Sequence, residues 1–207
     1  DFLKKTGEPP VIIDKDRADK SLLRLKYYYF NNGFFNVNAN YKIDTLSIKK
    51  GKIKYAITPG NAYFLDSLRT TILTPALDSL YESNKSNTFI KSGNQYKTED
   101  FENEKNRITT HFRNNGVYYF QPNYVTFDID TIKKVNQANI NLMINNYSYQ
   151  NGDSTRTEPF KIYKISDVNI YTDYSPSNNS IKITDSTTYK NFNLYSQNKL
   201  RYKPRAI

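Results

Sequence analysis

The chain has 207 residues, no cysteine, one histidine and a net charge of +10. The absence of thiols excludes disulfides and thiolate metal sites, the lone histidine argues against a catalytic triad or a histidine-based metal site, and no apolar run approaches the roughly 18 residues of a membrane-spanning helix. With 19 Tyr and 12 Phe, aromatic rings must carry much of the core, since each buries a large area and Tyr can keep its hydroxyl wet. The length fits one large domain or two small ones. Asp1 opens without an initiator Met or a signal peptide, which reads as an excised fragment. The charge is uneven: residues 1–60 carry +6, residues 61–150 balance, and residues 151–207 carry +4. A neutral middle segment makes the excess a solvated basic surface rather than a property of any repeated unit.

Ala18 to Asn32 predicts an amphipathic helix, with Leu22, Leu25 and Tyr29 spaced by three and four. Asn32-Gly33 stops it, because glycine suits the left-handed position after a helix end. Phe35, Val37, Ala39, Tyr41 and Ile43 then alternate with Asn36, Asn38, Asn40 and Lys42, the pattern of a half-buried strand. Lys50-Gly51 turns the chain, and Ile53, Tyr55 and Ile57 alternate up to Pro59-Gly60. Tyr63, Leu65 and Leu68 open a strand to about Leu73. Pro75 stands near a helix start, where its missing N–H costs nothing. After a polar stretch from Ser83 to Gln95, Thr98 to Asn114 predicts a second helix with Phe101, Ile108 and Phe112 on one face. Val125, Phe127 and Ile129 and then Ile140, Leu142 and Ile144 give a hairpin. Tyr163, Ile165 and Val168 repeat the spacing of Tyr63, Leu65 and Leu68 and so predict another first strand. Beyond it come a turn-rich loop from Ser175 to Ser180, a short strand at Ile181 and Ile183, and a basic, aromatic end from Lys199.

Asn31-Asn32-Gly33-Phe34-Phe35 returns as Asn114-Asn115-Gly116-Val117-Tyr118, each copy closing a helix and opening a strand. Such repeats mark arrays of small units. The predicted boundaries are the end of one module at 1–60, a whole module at 61–150 and an incomplete third at 159–207. Chemistry is sparse. Asp128 and Asp130 share the polar face of a strand with no His or Cys beside them, and Glu99 to Glu104 crowd a helix start, where the dipole favours negative charge. His111 has no nucleophile pattern near it, and the glycines form no phosphate loop. No catalytic residue, metal ligand or cofactor is expected, and the chain reads as a non-enzyme. Tyr27-Tyr28-Tyr29-Phe30 and Lys49, Lys50, Lys52 and Lys54 pair rings with charge as a nucleic-acid platform would, but the rings follow core periodicity and the lysines cluster at a turn.

The order strand, helix, helix, strand, strand resembles a POTRA (polypeptide-transport-associated) domain. Tyr63-x-Leu65-x-x-Leu68 matches its first strand, and Glu104-x-x-Arg107-Ile108 leads to the joint Arg113-Asn114-Asn115-Gly116-Val117-Tyr118-Tyr119-Phe120. The strands around Phe127 and Leu142 match its hairpin. Leu22 to Tyr55 and Tyr163 to Val168 match parts of two further copies. Tandem modules of this kind resemble the arm of the BamA/TamA superfamily, and Gly7-Glu8-Pro9-Pro10-Val11 resembles versions from Bacteroidetes. The resemblance implies an α+β array, each module a small three-stranded mixed sheet with two helices on one face, on the periplasmic side of the bacterial outer membrane. It implies unfolded outer-membrane proteins, accessory assembly subunits and the chain's own C-terminal membrane barrel as partners. An anionic membrane surface joins them on charge, and nucleic acid is not expected. It also places the strands Phe34 to Ile43 and Tyr124 to Asp130 at sheet edges. The expected client-binding backbone is then Asn36, Asn38, Asn40, Thr126, Asp128 and Asp130, with Gly33 and Gly116 as structural joints. A division scaffold with the same module and a basic aromatic nucleic-acid module are the alternatives.

Overall fold

The structure, a computed structural model, describes residues 12–47, 50–132, 134–175, 182–201 and 203–206. It is an α+β fold that divides into two compact units between Lys161 and Ile162. In the first unit, helix α1 (Lys15–Asn31) leads into the antiparallel hairpin β1 (Asn38–Ser47) and β2 (Lys50–Thr58). Asp14 caps the helix by accepting from the Asp16 and Arg17 amides at 2.8 and 3.4 Å. Ala18 is buried, and the Tyr41 and Tyr55 hydroxyls reach back from the hairpin to Asp19 and to the Ala18 carbonyl.

The strand after Gly33 starts later than its alternation predicts. Phe34 to Val37 form a turn closed by the Val37 amide on the Phe34 carbonyl. The Phe35 ring packs 4.9 Å from both Tyr63 and Tyr96. That apolar position is therefore spent on a contact to the next segment, and Asn36 lies outside β1.

The next segment is a whole small module. Strand β3 (Phe64–Ile72), helices α2 (Pro75–Asn84) and α3 (Thr98–Asn114), and strands β4 (Val125–Asp130) and β5 (Gln137–Ile144) follow in order. The sheet runs β3–β5–β4, with β5 parallel to β3 and antiparallel to β4. Along β5 buried and half-buried positions alternate strictly, so Ala138, Ile140, Leu142 and Ile144 face the helices. They meet Leu77 and Tyr81 of α2 and Phe101, Ile108 and Phe112 of α3, together with Val117, Phe120 and Phe160.

One charged group enters this core. Glu104 is fully buried and takes a two-pronged ion pair from Arg107 at 2.7 and 2.9 Å, while its Oε2 also accepts the Phe89 amide at 3.0 Å. Arg107 in turn donates to the carbonyl and side chain of Asn84 and lies over the Tyr81 ring. The polar stretch after α2 is thus pinned to α3 through a carboxylate, and the acidic run is more than a helix start. Burial first, and the nearby Glu104 charge second, push the Tyr81 phenol up to about 12. A phenol raised in the folded state keeps its contribution below its ordinary value near 10 and loses it as pH rises toward 12. Stability measured by urea unfolding is therefore expected to fall between pH 10 and 12, and Tyr81→Phe to flatten that fall.

A second hairpin, β6 (Tyr147–Asn151) with β7 (Ser154–Glu158), leaves the end of β5 and crosses the expected boundary at residue 150. Thr74 ties down its open base, donating to Asn146 and accepting the Phe160 amide.

The second unit holds strands β8 (Val168–Tyr171), β9 (Asp185–Tyr189) and β10 (Phe192–Ser196), in the order β8–β10–β9. Order and directions repeat those of β3–β5–β4, and no helix pair stands between β8 and β9 among the described residues. The first strand is not where its spacing predicts: Tyr163 and Ile165 are exposed and precede β8. Ile183 is outside any strand, while residues 176–181, with most of the expected loop and the Ile181 end of the expected short strand, lie outside the described residues. The two sheets also bury opposite faces. The Leu73 amide on the Ile144 carbonyl shows that buried residues of β5 turn their backbone groups toward parallel β3. The Thr172 amide on the Tyr195 carbonyl shows that in β10 it is the half-buried Tyr195 that does so, leaving buried Leu194 bonded to antiparallel β9. Side-chain side and hydrogen-bonding direction are linked by chirality, so the second sheet is not simply the first with its helices removed. The Asp173 carboxylate, held below its usual range by the Gln197 amide and then by the Ser196 hydroxyl, fastens the end of β10.

Candidate functional site

Strand β4 pairs with β5 alone and forms one edge of the module's sheet. The opposite edge, on β3, is partly closed: Leu65 exchanges backbone bonds with Gly93 and Asn94, and Gln95 bridges Phe64. β4 is the more open of the two.

Which backbone groups face outward follows from the ladder. The Asn145 amide donates to the Tyr124 carbonyl at 3.1 Å, which makes that pair hydrogen-bonded. In an antiparallel ladder such pairs alternate, so Thr126, Asp128 and Asp130 bond inward to Met143, Asn141 and Asn139. The outward groups belong to Phe127 and Ile129, whose N–H and C=O meet no described partner; the Val125 amide is already taken by the Pro122 carbonyl. The expected backbone contacts Thr126, Asp128 and Asp130 are thus corrected by one residue. Being on the polar face, they offer side chains at the edge, whereas the outward backbone belongs to residues whose side chains point into the core. In the first hairpin, Asn38 and Asn40 pair with Thr58 and Ala56 and β1 has no second neighbour, while Asn36 is in the preceding turn.

The polar face of the module's sheet is uncovered and dips in a hollow of about 400 Å³ lined by Ser67, Arg69, Thr71, Asp128, Asn139 and Asn141, among others. Ser67 donates to Asn139 and Thr71 to Asn141, so the face is a cross-strand amide ladder. No group of three His, Asp or Glu close enough to hold a metal occurs among the described residues. His111 has its Nε2 3.1 Å from the Leu80 carbonyl between α2 and α3.

The joints are built alike. Gly33 and Gly116 have φ of +83° and +88°. The amides of Phe34 and Val117 reach back to the carbonyls of Tyr29 and Phe112, and the side chains of Asn32 and Asn115 donate to the carbonyls of Tyr28 and His111. This accounts for the Asn-Gly pair: the amide side chain satisfies one orphan carbonyl and the glycine allows the left-handed turn that satisfies another. Gly33 has a second task that sequence reasoning missed. Its carbonyl accepts the Tyr63 amide at 2.9 Å, and Gln95 donates to the Asn32 carbonyl at 2.7 Å, so the joint of the first segment is also its seam with the next.

No protein-family model matches the chain, and no curated protein does. Among solved structures it is similar to BamA from Haemophilus ducreyi lacking POTRA domains 1–3, at 12% identity and a TM-score of 0.41 over 71% of this chain; it spans about a quarter of that protein, 26%. It is also similar to POTRA domains 3–5 of BamA from Haemophilus influenzae, at 12% identity and a TM-score of 0.39, covering 86% of this chain and 78% of that one.

Proposed function

We propose that the chain is a periplasmic POTRA-type arm of an outer-membrane assembly protein, which takes up extended segments of unfolded outer-membrane proteins or accessory subunits by strand addition and passes them to a membrane barrel. It works by binding and not by catalysis. The observation that carries this reading is the open edge of β4, where Phe127 and Ile129 present unpaired backbone groups. An incoming strand gains backbone bonds worth only about 0.5–1.5 kcal/mol each. Such contacts are loose in sequence and easily released, as transfer requires. The sequence motifs of the joints and the strand order support the same reading.

Amide hydrogen exchange with and without a synthetic strand from an outer-membrane barrel tests it. The Phe127 and Ile129 amides are expected to exchange freely in the chain alone and to slow when the strand is added. Binding that protects other amides and leaves these two unchanged would overturn the assignment. Thr126→Pro is a poor probe of the edge, because it removes an inward amide bond: thermal melts are expected to show the module destabilised by about 1–3 kcal/mol.

A further inference from the structure

The outward face of α1 carries an apolar stripe of which its own fold uses only the Phe30 end. The helix lays Ala18, Leu22, Leu25 and Tyr29 toward the hairpin. Leu23, Tyr27 and Phe30, spaced by four and three, fall on the opposite side at 50%, 57% and 47% exposure. Exposed Lys20 and Arg24 lie along one side of the stripe and Lys26 along the other. None of these three cations has a carboxylate partner among the described residues. From Lys20 to Ile43 the sequence contains no acid at all; Asp16 and Asp19 belong to the helix's first turns.

The repeat provides an internal control. Aligned on Gly33 and Gly116, Leu23, Tyr27 and Phe30 correspond to Asn106, Thr110 and Arg113 of α3, all exposed and polar. The architecture therefore does not demand apolar side chains there. A helix and loop standing where α2 and its following loop stand would border the stripe without burying it: Asn84, Asn87 and Phe89 rim a hollow with Asn106 and Thr110, which stay exposed. α2 meets α3 at Arg107 and His111, whose counterparts are Arg24 and Tyr28, to one side of it.

We propose that this face of α1 docks on an anionic lipid surface. The segment Lys20–Phe30 is roughly 16 Å long and about 10 Å wide. That is far below the roughly 800 Å² per partner of a stable protein interface. A lipid surface asks for less: a few apolar or amphipathic anchors at headgroup depth and cations beside them. Tyr27 and Leu23 are the anchors; Phe30 contributes too, although its ring also touches Phe35 at 5.1 Å. The proposal is independent of the β4 edge, and its failure leaves that reading intact.

The chain has no tryptophan, so Tyr27→Trp is a unique fluorescent reporter. Its emission is expected to shift to the blue with phosphatidylglycerol–phosphatidylcholine vesicles, to be quenched by brominated lipid, and to be unmoved by phosphatidylcholine alone. Raising salt should weaken the shift. Lys20→Gln and Arg24→Gln should each lower vesicle partitioning about fivefold, and Leu23→Glu should abolish it while the thermal melt stays put. Four results would overturn the proposal: no shift with any vesicle, an equal shift with phosphatidylcholine, binding to polyglutamate or an oligonucleotide without binding to vesicles, or full partitioning of Leu23→Glu.

Discussion

Glu104→Ala is expected to cost about 3–5 kcal/mol, because it leaves the Arg107 guanidinium nearly buried without its counter-charge. It also strands the Phe89 amide, so the loop from Lys85 to Ile90 loses its attachment to α3. Urea unfolding should show the midpoint fall with the slope kept. Glu104→Gln should cost less, since an amide oxygen can still accept from Phe89. Replacing both partners together, as Glu104→Leu with Arg107→Met, is expected to recover much of the loss, because two well-packed apolar groups avoid the desolvation of an ion pair. If Glu104→Ala moved stability by less than about 1 kcal/mol, the pair would be a bystander and the loop would be held by Ile90 and Tyr96 packing alone.

Gly33→Ala should act at two places at once. The left-handed turn costs any L-residue roughly 1–2 kcal/mol. The new methyl would also lie 3.0 Å from both Cβ and the carbonyl oxygen of Tyr96 and 3.2 Å from the Tyr63 carbonyl, two of these three being backbone. The seam must open to admit it. Exchange at the Tyr63 amide, which closes the seam on the Gly33 carbonyl at 2.9 Å, and at the adjoining Tyr96 amide, held by the Tyr63 carbonyl at 2.9 Å, is expected to quicken by an order of magnitude or more. Gly116→Ala, with the same turn to make, should destabilise α3 and leave those two amides alone. Equal exchange in the two variants would mean that the seam does not depend on the glycine.

Much of this was legible in the sequence because it rested on periodicity. Thr98 to Asn114 is the helix its spacing predicts, and Ile140, Leu142 and Ile144 are the buried side of β5. Periodicity failed where an apolar residue served a contact outside its own element. Phe35 continued the alternation of β1 yet packs on Tyr63 and Tyr96 from a turn. The hairpin of β6 and β7 was missed: Asn151-Gly152 makes its turn and Gly152 has φ +63°, but Ser154 to Glu158 holds no apolar residue to mark the second strand. The strand expected at the sheet edge does lie at an edge, but its outward backbone groups belong to residues one position away from those expected. Side-chain alternation shows which face a residue lies on, and only the hydrogen-bond register shows which way its backbone turns. That register is a property of two strands together and is not written in either.

The same register sets what the β4 edge can and cannot change. Its donors and acceptors belong to Phe127 and Ile129, which touch the core clusters with their side chains. A mutation at either position that retuned a visiting strand would also disturb the packing underneath. The edge is therefore held constant by the interior, as a rail fixed to its bed. If the edge takes up strands as proposed, any preference among them has to come from the side chains of Thr126, Asp128 and Asp130, which face away from that interior. Asp128 is the exposed acid among them, so a strand carrying Lys or Arg opposite it would be the one retained longest.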